Sequence, residues 1–373
     1  MDFQTILLLV FPLIPLTWGY SDEGHMTIMA IAYSQLTESQ KDKFNKVISS
    51  FQYDYPEMND PIVQAAWFDF IKYEFPHPMD KTLHYEDMQI FGLFHFQNIP
   101  YCPEKDGNGN PIPNKYICNE KEGLKRPGSV AAMTHILRSL TVNEGDKKDV
   151  KGTCFSWSLQ LRILTHVMGD LHQPLHNSDL TTKNFPNGTH GGNSIHAKYN
   201  FQCSLHYLWD NDFLTRKGQY PAFTPAEAND KAKILMDKYS KDFFGDRLKN
   251  ELTGIGNFNK IAMESNEFSP IAYGEIPPTF GKDDIYTPSE NYVKKCHEII
   301  EKQLAVAGYR LGNLLAYLLD NMPDHIITMC EHNKNSNSSK STLLYVLIPL
   351  LLFPIVLGST IFFYKSRTSR RHM

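Results

Sequence analysis

The stretch Leu161–His176 reads L-R-I-L-T-H-V-M-G-D-L-H-Q-P-L-H, and its spacing sets the fold class. Leu161, Leu164, Val167 and Met168 recur at helical intervals and form one apolar face. His166 and Asp170 lie four residues apart, so on that helix they share a face, one turn apart. Pro174 then breaks the helix, and His176 arrives after the turn. The same spacing returns in L-H-Y-L-W-D, with His206 and Asp210. One such pair alone reads as a surface ion pair. Two pairs on apolar helices, joined by a loop histidine, make five ligand candidates, and neutral imidazole nitrogen with carboxylate oxygen suits zinc.

The rest of the chain reads as helices joined by long loops. G-H-M-T-I-M-A-I-A-Y at Gly24–Tyr33 is apolar throughout and predicts a buried helix. Thr37 and Gln40 form a capping pattern for a helix ending near Ile48. Further helices are expected within Pro56–Phe70, Ser129–Leu140, Ser156–Asp170, Pro225–Tyr239, Phe258–Asn266 and Tyr292–Leu319. Leu83–Ile99 reads as irregular or extended. Tyr101–Leu124 and Thr181–Gln202 are rich in turn residues and read as loops. The expectation is a single all-α domain over 20–322.

At 373 residues, with 42% hydrophobic side chains, the chain is long enough for one large core. Its net charge of -4 carries no basic signature of salt-driven duplex binding. Ile6–Leu16 has the length of a signal-peptide core, and Thr17 and Gly19 stand at −3 and −1 of a cleavage before Tyr20. Its charged residues are unusual for a leader, since Asp2 stands where Lys or Arg is expected. No charge falls between Lys340 and Lys365, so Leu343–Tyr364 is expected to span a bilayer. Lys365, Arg367, Arg370 and Arg371 form a basic cytoplasmic flank over 365–373, which argues against a glycolipid-anchor signal. Residues 323–342 are expected to be a polar stalk. These features give a single-pass protein of the secretory pathway whose ectodomain faces the lumen or the outside. Six cysteines in that portion are compatible with three disulfides, and Cys102–Cys118 is the one pairing expected. Sequons at Asn187 and Asn337 fit the same compartment.

Three more ligand candidates lie upstream: His25 after Gly24, Asp69 in A-A-W-F-D, and His95 in L-F-H-F. Each alone has an ordinary structural reading. Together with His166-x3-Asp170, Gln173-Pro174-Leu175-His176, Gly191-Gly192-Asn193 and His206-x2-Trp209-Asp210, they form an ordered series. That series resembles the trinuclear-zinc single-strand nucleases and 3′-nucleotidases, which are related to bacterial zinc phospholipases C. The resemblance spans about Tyr20 to Leu319, and A-G-Y-R-L-G-N-L-L from Ala307 looks like the family's last helix. Asp210 stands where the phospholipases usually have Glu, which favours the nuclease branch.

The resemblance implies three zinc ions. Asp69, His95, His166 and Asp170 would hold one; His176, His206 and Asp210 a second; His25, a bridging Asp170 and the backbone amine and carbonyl of Tyr20 the third. It also implies hydrolysis by zinc-activated hydroxide, giving 5′-nucleotides from single-stranded DNA or RNA, or phosphate from 3′-nucleotides. Lys72 matches a basic residue that contacts phosphate, or is simply a solvated lysine. Asn211 matches a substrate-binding asparagine. Phe96 either stacks a base or fills the core. Relatives commonly carry Asp close to the attacking water, three residues after the histidine matching His95. Here that position is Asn98, whose amide can orient water but cannot take its proton. His172 and His190 match no ligand position and read as structural or rim residues. The rival functions are a membrane-anchored zinc phospholipase C and a non-catalytic surface protein on the same scaffold. No protein partner is evident.

Overall fold

The structure, a computed structural model, describes residues 20–51, 59–71, 91–109, 118–141, 153–213, 223–249 and 257–331. The expected leader (1–19), Lys72, Asn337, the apolar segment 343–364 and the basic tail lie outside these residues. Among the described residues no helix is long and apolar enough to cross a membrane.

In chain order the helices are α1 (Asp22–Ser34), α2 (Glu38–Ile48), α3 (Trp67–Phe70), α4 (Glu120–Lys125), α5 (Ser129–Leu140), α6 (Cys154–Asp170), α7 (Leu205–Asp210), α8 (Pro225–Lys238), α9 (Lys241–Phe244), α10 (Asp246–Lys249), α11 (Phe258–Asn266), α12 (Ser269–Ala272) and α13 (Glu290–Asp320). The fold is mainly helical, as expected. The predicted boundaries hold within two residues for α1, α2, α5, α8, α11 and α13. The Thr37–Gln40 box forms reciprocally, with the Thr37 hydroxyl accepting from Gln40 N and the Gln40 side chain accepting from Thr37 N. A second box, Thr153 with Ser156, starts α6 two residues before the expected point.

Buried α1 is the centre of the core and packs on α13, α8 and α6. Its close approach to α13 depends on Gly308, where a Cβ would sit 2.5 Å from Ile31 Cβ. α1 begins where α6 ends, so the first turn of one and the last turn of the other meet.

Four expectations need correction. The loops contain small strands: β1 (Pro100–Tyr101) pairs in parallel with β2 (Asp179–Leu180), and β3 (His196–Lys198) pairs antiparallel with β4 (Gln202–Ser204). Ladders of two or three residues are too short to leave a periodic signal. Expected helix within Pro56–Phe70 is, among described residues, a 3₁₀ turn at Val63–Ala66 running into α3. The fold continues past Met322, through a helix at 324–331 within the expected stalk, and Cys330 is bonded to Cys154. Cys102–Cys118 forms, but Cys203 and Cys296 are buried free thiols, so two disulfides form among the described residues rather than three. Burial pushes the Cys203 thiol up to about 12.

Candidate metal centre

α1 supplies His25, α3 Asp69, the turn before β1 His95, α6 His166 and Asp170, the turn after α6 His176, and α7 His206 and Asp210. All eight are buried, at 3% exposure or less. They converge as three groups whose ligand atoms lie within 4.8 Å of one another: His25, His166 and Asp170; Asp69, His95 and His166; His176, His206 and Asp210. Asp170 stands at the junction. Its Oδ1 is 3.5 Å from His25 Nε2 and 3.5 Å from His176 Nδ1, and its Oδ2 is 2.9 Å from His95 Nδ1 and 3.5 Å from His166 Nε2. Asp69 Oδ1 lies 3.5 Å from His166 Nε2 and 3.7 Å from His95 Nδ1. Asp210 closes the last group, 3.3 Å from His206 Nε2 and 3.7 Å from His176 Nε2.

The tautomers are fixed by the backbone. Nδ1 of His166, His176 and His206 donates at 2.7 Å to the carbonyls of Ala65, His95 and Gly191 respectively. A carbonyl can only accept, so in each neutral ring Nε2 carries the lone pair. In two of these rings Nε2 is also the nitrogen facing its own helix's carboxylate, a turn away. His95 is turned the other way and faces Asp170 through Nδ1, its ring stacked on Phe68 with centroids 4.7 Å apart. Helices α6 and α7 both end at the cluster, on Asp170 and Asp210, so their carbonyl ends favour a bound cation. Buried imidazoles and carboxylates around one small volume fit zinc as a donor set.

Several residues support the cluster without being ligands; Gln173 belongs to the motif series of the sequence, whereas Gln97, Asn177 and Gly169 leave no signal of their own. Gln173 donates from Nε2 to Asp210 Oδ1 at 2.6 Å, while its Oε1 accepts from Leu175 N. Gln97 is buried and binds Gly123 O and Val130 N, tying the His95–Asn98 turn to the start of α5. Asn177 Nδ2 donates to the carbonyls of Asp170, Leu171 and Gln173, which sets the course of the chain between His166 and His176. Gly169 admits the His25 ring, because a Cβ there would lie 2.7 Å from His25 Nδ1.

Tyr20 is buried beside the cluster, its ring centroid 6.3 Å from that of His25, and the next amide, Ser21 N, donates to Asp210 O at 3.0 Å. Phe96 lies on His176, with centroids 4.5 Å apart and planes 24° apart. Asn98 has a left-handed backbone, φ 48°, and Asn98 N and Gln97 N both donate to His176 O. Its side-chain Oδ1 is buried with no hydrogen-bond partner among the described residues. Asn211 caps α7, with Nδ2 donating to Tyr207 O. His172 is buried and stays out of the three groups: Nδ1 donates to Met168 O and Nε2 accepts from Arg310. Burial first, then the Arg310 charge, hold its pKa well below the usual histidine range. His190 is exposed, with Nδ1 3.2 Å from Ser194 Oγ.

A mainly helical fold that closes three buried His/Asp groups on one another forms a candidate multi-metal site. The S1/P1 nuclease family matches residues 18–320, and the chain belongs to that family, whose members are metal-dependent hydrolytic endonucleases. Endonuclease 4 of Arabidopsis thaliana is 26% identical over 320 residues, covering 83% of this chain and 92% of the relative. Nuclease S1 of Aspergillus oryzae is 21% identical over 303 residues, covering 80% and 91%. Endonuclease 1 of Arabidopsis thaliana is 23% identical over 318 residues, covering 83% and 89%.

Proposed function

We propose that the chain is a three-zinc hydrolase of single-stranded nucleic acid, yielding 5′-nucleotides, and that it also removes phosphate from 3′-nucleotides. The observation that carries this is Asp170, whose two oxygens face histidines of all three groups. A carboxylate so placed is suited to bridging two ions. On this reading Asp69, His95, His166 and Asp170 hold one zinc, His176, His206 and Asp210 a second, and His25, Asp170 and the Tyr20 backbone the third. Zinc lowers the pKa of water and neutralises phosphate charge. Gln173 holds Asp210 in orientation, and the buried Asn98 Oδ1 supplies an acceptor beside the His176 segment that can orient water. Lys72 is proposed to meet phosphate, and Asn211 and Phe96 to meet the base.

The same reading takes the chain through the secretory pathway, with Tyr20 as mature first residue and 343–364 as an anchor. Zinc content of the purified protein, with hydrolysis of single-stranded DNA, RNA, 3′-AMP and phosphatidylcholine with and without chelator, tests it. Three zinc ions and chelator-sensitive cleavage of nucleic acid and 3′-AMP are expected. Cleavage of phosphatidylcholine alone, or fewer than two zinc ions with no activity, overturns it.

A further inference from the structure

Asp179 lies three residues past His176, outside all three His/Asp groups, yet it joins three segments that build the site. Its amide donates to Ile99 O at 2.9 Å, within the β1–β2 pairing that follows the His95–Asn98 turn. Its carboxylate grips a third segment: Oδ1 accepts from Thr189 N at 2.7 Å, Gly191 N at 3.2 Å and Thr189 Oγ1 at 3.3 Å. Gly188 packs so tightly on this carboxylate that a Cβ there would overlap it. A carboxylate only 8% exposed is costly to bury, and the bonds from Thr189 and Gly191 offset that cost.

The gripped segment ends at Gly191, whose carbonyl receives His206 Nδ1–H at 2.7 Å. Gly191 has φ 62°, and a Cβ there would overlap the Leu175 carbonyl, so the loop has little freedom to re-aim that oxygen by itself. We propose that Asp179 is a positioning residue for His206: its carboxylate fixes the 189–191 backbone, Gly191 O is thereby aimed at His206 Nδ1, and Nε2 is presented to the His176/His206/Asp210 group. The acceptor oxygen is the working part, rather than the charge. The consequence for zinc rests on the reading of His206 as a ligand; the consequence for the His206–Gly191 hydrogen bond does not.

The test compares Asp179→Asn and Asp179→Ala in the zinc-loaded protein. It uses the His206 Nδ1–H resonance in NMR spectra, zinc retention against a competing chelator, and melting temperature. Wild type and Asp179→Asn are expected to show a downfield, slowly exchanging His206 Nδ1–H and to keep all zinc within a few-fold in affinity. Asp179→Ala is expected to lose that resonance to exchange and to hold one zinc per chain about 10- to 100-fold more weakly, leaving the others near wild type. An Ala variant with an unchanged resonance overturns the proposal, as does loss of every ion in proportion to melting temperature. Should the Ala variant fail to fold, Asp179→Glu, which keeps the charge but moves the oxygen by one methylene, is expected to weaken the same resonance; no change overturns the proposal. His206→Ala, assayed for zinc, separates the failures: an unchanged zinc count refutes the ligand reading, while the resonance still judges the Asp179 relay.

Discussion

His25 lies flat on His166, with ring centroids 3.6 Å apart and planes inclined by 17°. Both rings belong to the group they form with Asp170. Stacking also ties the first turn of α1 to the last turn of α6. The clearance comes from Gly169, three residues past His166. Gly169→Ala is expected to push His25 aside, cost about 1–3 kcal/mol in stability and release about one zinc per chain. Elemental analysis and thermal melting measure both; full zinc occupancy with unchanged melting would contradict the clearance argument.

Asp170 is the residue whose loss should reach furthest. Asp170→Ala is expected to lower zinc content by more than one ion and to abolish hydrolysis. Asp210→Ala, with contacts to one group, should cost about one ion. Equal losses from the two variants would rule out the bridging role.

Asn98 is already held in a left-handed turn by the bonds to His176 O. Asn and Asp both tolerate that backbone, so Asn98→Asp should fold normally. A carboxylate can take a proton that the amide cannot, so the variant is expected to raise the rate about tenfold or more or to move the pH profile. A pH–rate profile superimposable on wild type would place Asn98 beyond reach of the reacting water.

The amine of Tyr20 is proposed as a ligand, and Ser21 N on Asp210 O fixes the chain just beside it. An amine blocked by one extra residue has no lone pair to donate. Protein beginning at Tyr20 is expected to hold three zinc ions, and protein with a residue retained before it two, with most activity gone. N-terminal sequencing that finds Trp18, or full activity with the extension, refutes this.

His297 on α13 binds Asp212 Oδ1 through Nδ1 at 2.6 Å, and that hydrogen bond raises its pKa above the usual 6.5. A raised folded-state pKa stabilises fully below the unfolded value, and the effect is lost as pH rises through the folded value. His297→Gln should therefore destabilise below about pH 6.5 and converge on wild type in mildly alkaline solution. With the side chain 37% exposed, the difference should stay below about 1 kcal/mol. A gap that widens with pH would reverse the assigned sign.

The sequence by itself determined the helices that carry His25, His166, Asp170, His206 and Asp210, while His25, Asp69 and His95 were marked as ligands only by the family resemblance. The paired ligands were legible because helical geometry is local: a spacing of four from His166 to Asp170, or from His206 to Asp210, brings two side chains to one face wherever the helix lies. The capping pair Thr37–Gln40 is local in the same sense. Only the tertiary structure decided which nitrogen each histidine presents, because that depends on carbonyls far away in sequence, Ala65 for His166 and Gly191 for His206. The same holds for the stacking of His25 on His166, for Phe68 behind His95, and for Asp179 beneath the glycine loop. It also holds for the pairing of Cys154 with Cys330, 176 residues apart, while Cys203 and Cys296 stay reduced. Spacing along a chain fixes neighbours within a few turns, whereas these contacts follow from how α1, α6 and α13 pack, and no short-range pattern encodes that.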